Sequence, residues 1–143
     1  MGFTTDLLAG VAQLLDVDGV AKWDPAGVYA VTDVGIVIGP PSQSPPSLVA
    51  LAVYNNSDDP AASDSTVFLQ VRTRAPDDDP RKADDLDDGV FNSLQGLRAT
   101  INGIRVVYGK RNSSSPIGVD DTGRQERTSN YELMVHRPSA HRE

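Results

Sequence analysis

The chain has 143 residues, a formal charge of −7 and no cysteine, with 38% hydrophobic residues and a mean hydropathy of −0.33. That length suits one domain burying roughly two thirds of its unfolded surface. The missing cysteines exclude disulfides, thiol catalysis and cysteine-ligated zinc, the acidity disfavours nonspecific binding to nucleic-acid phosphates, and no apolar run approaches the roughly 20 residues of a membrane span.

Taken in chain order, the first element is a helix. Thr4 or Thr5 can cap it, Asp6 suits the positive end of its dipole, and Leu7, Leu8, Val11, Leu14 and Leu15 recur at helical spacing before Asp16–Gly19 ends it. The N-terminus lacks the basic region and small-residue cleavage site of a secretory signal, and Asp6 occupies the place where a myristoylation signal needs Ser or Thr. Residues 20–47 read as irregular connection, with Trp23 as a core or interface anchor and a short strand at Val34–Ile38. Gly39–Pro46 must be extended or turning, because each proline restricts itself and its predecessor.

Leu48–Tyr54 is almost continuously apolar, the pattern of a strand covered on both faces. After a polar loop at 55–65, Thr66–Thr73 alternates, with Val67, Leu69 and Val71 on one side. Asp79 and Pro80 mark the start of a second helix as N-cap and first helical residue. Its stripe is Ala83, Leu86, Val90, Leu94 and Leu97, with Phe91 beside it and Gly96 as its stop. The acids Asp84, Asp85, Asp87 and Asp88 are expected on its exposed side. Ile101–Tyr108 and Ser115–Val119 read as two strands, Asp120–Gly123 as a turn, and Arg127–His136 as the last strand with Tyr131, Leu133 and Val135 inward. The expected fold is α+β: a single domain over 1–143 with an antiparallel-rich mixed sheet flanked by two main helices, and pliable ends at 1–3 and 138–143.

Catalysis needs converging acids, bases or nucleophiles, and the sequence assembles none. Both histidines, His136 and His141, fall in the last eight residues, and no serine sits in a Gly-x-Ser-x-Gly elbow. The acidic run from Asp77 to Asp88 fails the calcium-loop pattern, placing Lys82 where that loop needs Gly and Asp88 where it needs Glu. The glycines form no nucleotide-binding pattern. No catalytic residue, metal or cofactor is expected, and the chain is not read as an enzyme.

Charge is distributed unevenly. Residues 1–91 hold fifteen acids and five bases; residues 92–143 hold five acids and eight bases. A subunit acidic at one end and basic at the other can attract a copy of itself head to tail, and such contacts close into rings when the rotation permits. From Phe91 to Val119 there is no acid, while Arg98, Arg105, Lys110 and Arg111 accumulate with only Tyr108 available for stacking. The expected subunit interface therefore sets Arg105, Lys110 and Arg111 against Asp84, Asp87 and Asp88 of a neighbour. Pro45 and Pro46, with Asp120, Asp121 and Arg124 of the last turn, are candidates for contact between stacked rings. Asp77 and Asp78, at the head of the acidic run, are candidates to face the central channel of such a ring, where acids repel phosphates.

Together, the amphipathic first helix, the proline-rich stretch, a strand ending Val71-Arg72-Thr73-Arg74, the Asp-Pro helix start, Ile101-Asn102-Gly103-Ile104-Arg105 and Pro116–Glu126 before an alternating last strand resemble the tail-terminator and minor capsid proteins of siphophages, especially those infecting actinobacteria. The resemblance runs over about residues 3–137. It implies a mixed α/β sheet flanked by helices and a homo-hexameric ring. That ring would end tail-tube polymerisation at the head–tail junction and offer the docking surface for the head. The implied partners are the chain itself, the tail-tube protein and a head-completion or connector protein, with genomic DNA passing unbound and no membrane. The implied location is the virion, after assembly in the host cytoplasm. Two other readings stay open: a head-completion or connector ring of the neck, and a soluble protein-binding module that recognises its partner through loop 39–47 and Trp23.

Overall fold

Leu7, Leu8, Val11 and Leu15 recur every three or four residues, and that spacing lays them along the buried face of helix α1, Phe3–Val17. The computed structural model describes residues 2–55, 58–76 and 79–141. Gly2, not Thr4 or Thr5, is the N-cap of α1, and no side chain caps it. Both threonines lie inside the first turn, whose closing bond runs from the Asp6 N–H to the Gly2 carbonyl at 3.0 Å. After α1 the chain reaches β1, Val34–Ile38, by way of Lys22, which bridges Gly35 and covers the outer edge of β1 with two backbone bonds.

Strand β2, Ser47–Asn55, runs parallel to β1 and antiparallel to β3, Asp64–Ala75. Helix α2, Pro80–Leu94, begins as its sequence dictates: the Asp79 side chain accepts the Arg81 N–H and Pro80 follows. It ends at Gln95, with Gly96 at φ 75°. Then come β4, Ala99–Ile101, β5, Ile104–Val119, and β6, Gln125–His136. The expected strand Ile101–Tyr108 is therefore a hairpin. Asn102 (φ 47°) and Gly103 (φ 79°) form its two-residue turn, and both need the left-handed backbone that Asn and Gly tolerate best. The expected strand Ser115–Val119 is the far half of β5.

The sheet order is β1-β2-β3-β6-β5-β4, with only the β1–β2 pair parallel. β3 and β6 pair without interruption from Asp64↔His136 to Ala75↔Gln125, whereas the β5–β6 register shifts three times. On the helix-covered face, Val67, Leu69 and Val71 of β3 and Tyr131, Leu133 and Val135 of β6 are completely buried against residues of both helices. Each such leucine or valine contributes about 1.5–3 kcal/mol of burial free energy. β2 is buried on both sides in its first half, at Leu48, Val49, Ala50 and Leu51. This is the α+β architecture, with two helices on one curled, mainly antiparallel sheet. Trp23 is partly buried and packs against the core.

Candidate functional site

Two polar centres anchor the surfaces that the sequence singles out. The first lies where α2 crosses β5 and β6. On α2, Ala83, Asp87, Val90 and Leu94 form the fully buried face, so Asp87 occupies a core position and is only 1% exposed. This corrects the expectation of an exposed acid. A carboxylate so placed must be fully bonded, since an unpaired buried charge is costly. Asp87 accepts the Ser129 hydroxyl at 2.6 Å and the Ser114 hydroxyl at 3.2 Å, and it pairs with the guanidinium groups of Arg127 at 3.3 Å and Arg111 at 3.5 Å. Arg127 also reaches Asp84 at 3.2 Å.

Arg111 is held from three sides. Its guanidinium lies 4.4 Å from the Phe91 ring centre, its backbone N–H donates to the Gln95 side chain at 2.8 Å, and Asp87 takes its charge. Asp87 and Arg111, expected on opposite sides of a subunit interface, are thus partners within one chain, and Asp84 is paired internally too. The physical reason is topology: the β5–β6 ribbon brings the basic half of the sequence directly under the acidic helix. Beneath this network burial pushes the Tyr131 hydroxyl pKa up, and the charge of Asp87 adds to the shift. Arg105, Lys110 and Asp88 remain on the surface.

The second centre ties together the two loops expected to contact another ring. Arg74, 3% exposed, donates to the carbonyls of Pro46 at 3.0 Å, Ser42 at 2.6 Å and Pro45 at 2.8 Å. Desolvation, followed by the charge of Arg124, lowers its pKa from the ordinary arginine value. Arg124 reaches the same loop from the β5–β6 turn, donating to the Gln43 backbone carbonyl at 2.7 Å and to its side-chain oxygen at 3.0 Å. Its Nε binds Asp120 at 2.7 Å. Desolvation works against ionisation of Asp120. The backbone N–H groups of Arg124 and Thr122, the Arg124 guanidinium and the Thr122 hydroxyl outweigh it and hold the carboxyl well below the usual range.

Pro45, Pro46, Asp120 and Arg124 thereby belong to one braced platform at an end of the sheet, with Asp121 exposed on it. Pro45 itself is buried, so its part is to fill the platform rather than to project from it. Next to the platform on β5, Ile117 and Val119 are 48% and 58% exposed. Asp77 and Asp78 lie outside the described residues.

Sequence reasoning missed Arg74, Gln43, Arg127 and Ser129. A signal existed for the last two, since Arg127 and Ser129 share the inward parity of Tyr131 and Leu133. Among the described residues no group of three or more His, Cys, Asp or Glu side chains is arranged to hold a metal ion.

No family model matches this sequence, and no curated protein matches it. The fold is similar to that of a chain from the virion of a native gene transfer agent (GTA) particle, with a TM-score of 0.67 and 16% sequence identity, over 94% of this chain and 98% of that one. At that identity the likeness is one of fold.

Proposed function

We propose that the chain is a structural subunit of a phage-like virion, and within it a ring protein at the head-proximal end of a long tail. The observation that carries the reading is the near end-to-end fold similarity to a chain of a GTA virion, with almost nothing left over on either side. A non-enzymatic role agrees with the use made of the polar residues. Asp87 and Arg74, both buried, bind partners within the chain and brace its elements.

In this reading the platform built by Arg74 and Arg124 is the face that meets the neighbouring ring. Its backbone is fixed by guanidinium bonds, so docking would cost little ordering entropy, and the exposed Ile117 and Val119 supply apolar contact. The tail terminus, rather than another ring of the neck, is chosen by the resemblance to tail terminators described above.

Inactivating the gene in its producing host and imaging the particles tests this. A terminator predicts tails of uncontrolled length that fail to join heads. Normal tails beside filled, tail-less heads would instead assign the chain to head completion, and unaltered infectious particles would overturn the virion role.

A further inference from the structure

Many charged side chains of this protein pair within the chain. Lys22, Arg72, Arg81, Arg111, Arg124 and Arg127 each pair with an acid within 4 Å. Among the charged residues outside these pairs, two arginines share one concave surface and two aspartates share another. Arg98 and Arg105 line a groove of about 180 Å³ on the β4–β5 hairpin, together with Ala99, Thr100 and Val107. Asp18 and Asp85 stand at a cleft of about 610 Å³ between the end of α1 and the middle of α2, which Val20 and Leu86 also line. None of the four forms a salt bridge within 4 Å among the described residues, the charge of Asp85 being felt only at a distance by Arg81, and the two surfaces share no residue.

We infer that the Arg98/Arg105 edge of one copy seats in the Asp18/Asp85 cleft of a second copy, joining chains head to tail. This rests on the reading of the chain as a self-assembling virion subunit. Arginine suits such a cleft: its methylenes can lie along Val20 and Leu86 while the planar guanidinium meets a carboxylate with two parallel bonds. Because one chain carries both the basic edge and the acidic cleft, their opposite charge makes the occupant another copy of this chain. Because the surfaces differ, the contact is heterologous, and each copy added leaves one edge and one cleft free until a ring closes.

Gly89 keeps the cleft open. A Cβ there would meet only Val20 at 3.4 Å, an ordinary contact, so a larger side chain fits the helix while filling the cavity.

The test is sedimentation velocity on the intact chain at high micromolar concentration and low salt, with thermal melting as a folding control. R98E/R105E alone and D18K/D85K alone should each lose association by roughly tenfold or more at unchanged melting temperature. Mixed in equal amounts they should regain it, because each acidic edge then faces a basic cleft and each basic edge an acidic one. G89L, which changes no charge, should also lose it.

The inference is overturned if either charge-reversed protein associates like the unmodified chain, if the mixture stays apart, or if the unmodified chain itself remains monomeric. In all three cases particle imaging still judges the virion role by itself. Conversely, particles that lack the chain would refute that role whatever the solution behaviour.

Discussion

A carboxylate in the core persists only while all of its partners stay in place, and Asp87 has four. Removing it takes the carboxylate from Arg111, leaves Arg127 with Asp84 and the Ser114 hydroxyl, and leaves the Ser129 hydroxyl with Ser114. D87A should cost about 3 kcal/mol, the low end for breaking a buried pair, because Arg111 and Arg127 keep roughly a quarter of their side-chain surface in water. Urea unfolding measures this, and a loss below 1 kcal/mol would mean that the network contributes little net stability. Asp120 adds a pH dependence of known sign. Its folded pKa lies below its unfolded value of about 3.9. In the window between them the unfolded chain binds more protons, so stability rises with pH there. The contribution is complete above about pH 4–5 and is withdrawn as acid approaches the folded pKa. D120N should flatten the fall in unfolding free energy between about pH 4 and pH 2. Asp79, held down to about 2 first by its side-chain bond with Arg81, supplies a second slope of the same sign that D120N leaves intact.

Among the elements, two close approaches decide how the β4–β5 hairpin is seated. A Cβ on Gly109 would sit 2.5 Å from the Leu94 carbonyl oxygen, where β5 passes under the end of α2. G109A should therefore cost about 1–3 kcal/mol in thermal or urea unfolding, since backbone must shift to admit the methyl group. At the hairpin tip, Asn102 combines a positive φ with a side-chain bond to the Asp6 carbonyl of 2.9 Å. N102A loses both, at about 2 kcal/mol.

The hairpin also shows what local pattern reveals and what it leaves hidden. The Asp79-Pro80 start of α2 and the strand Val34–Ile38 are legible because capping chemistry and an apolar run act within a few residues. Asn102-Gly103 was equally legible as a turn, but the apolar residues on either side of it read as one continuous strand. Asp87 sits at i+4 from Ala83 and i−3 from Val90, squarely on the buried stripe. Only partners 24 and 40 residues further on make that position tolerable, and no local window contains them. The expectation of exposed acids on α2 failed there for that reason. Arg74 was hidden likewise, since its acceptors are carbonyls of a loop some thirty residues earlier.

At the scale of the whole molecule, the folded chain redistributes the charge imbalance read along the sequence. Acids of the first half and bases of the second neutralise each other across α2 and the β5–β6 ribbon, so the asymmetry left for a partner is smaller and more localised than the raw count implies. The head-to-tail association proposed above should consequently show the salt response of a few exposed pairs. Raising ionic strength from about 0.05 M to 0.5 M shrinks the screening length to below 10 Å and should weaken assembly without lowering the melting temperature. The buried Asp87 network is screened far less.

The register of the sheet has a mechanical meaning as well. Twelve consecutive rungs join β3 to β6, whereas the β5–β6 ladder is broken three times. Load applied along the strands is shared by the whole β3–β6 ladder at once, while the outer strand can flex at its bulges. The molecule is a stiff spine with a compliant flank. Amide exchange should follow that division, slowest along Val67–Val71 and Tyr131–Val135 and fastest in β5 beyond Arg111. A ring made of such subunits would adjust its curvature at the flank while the spines held their shape.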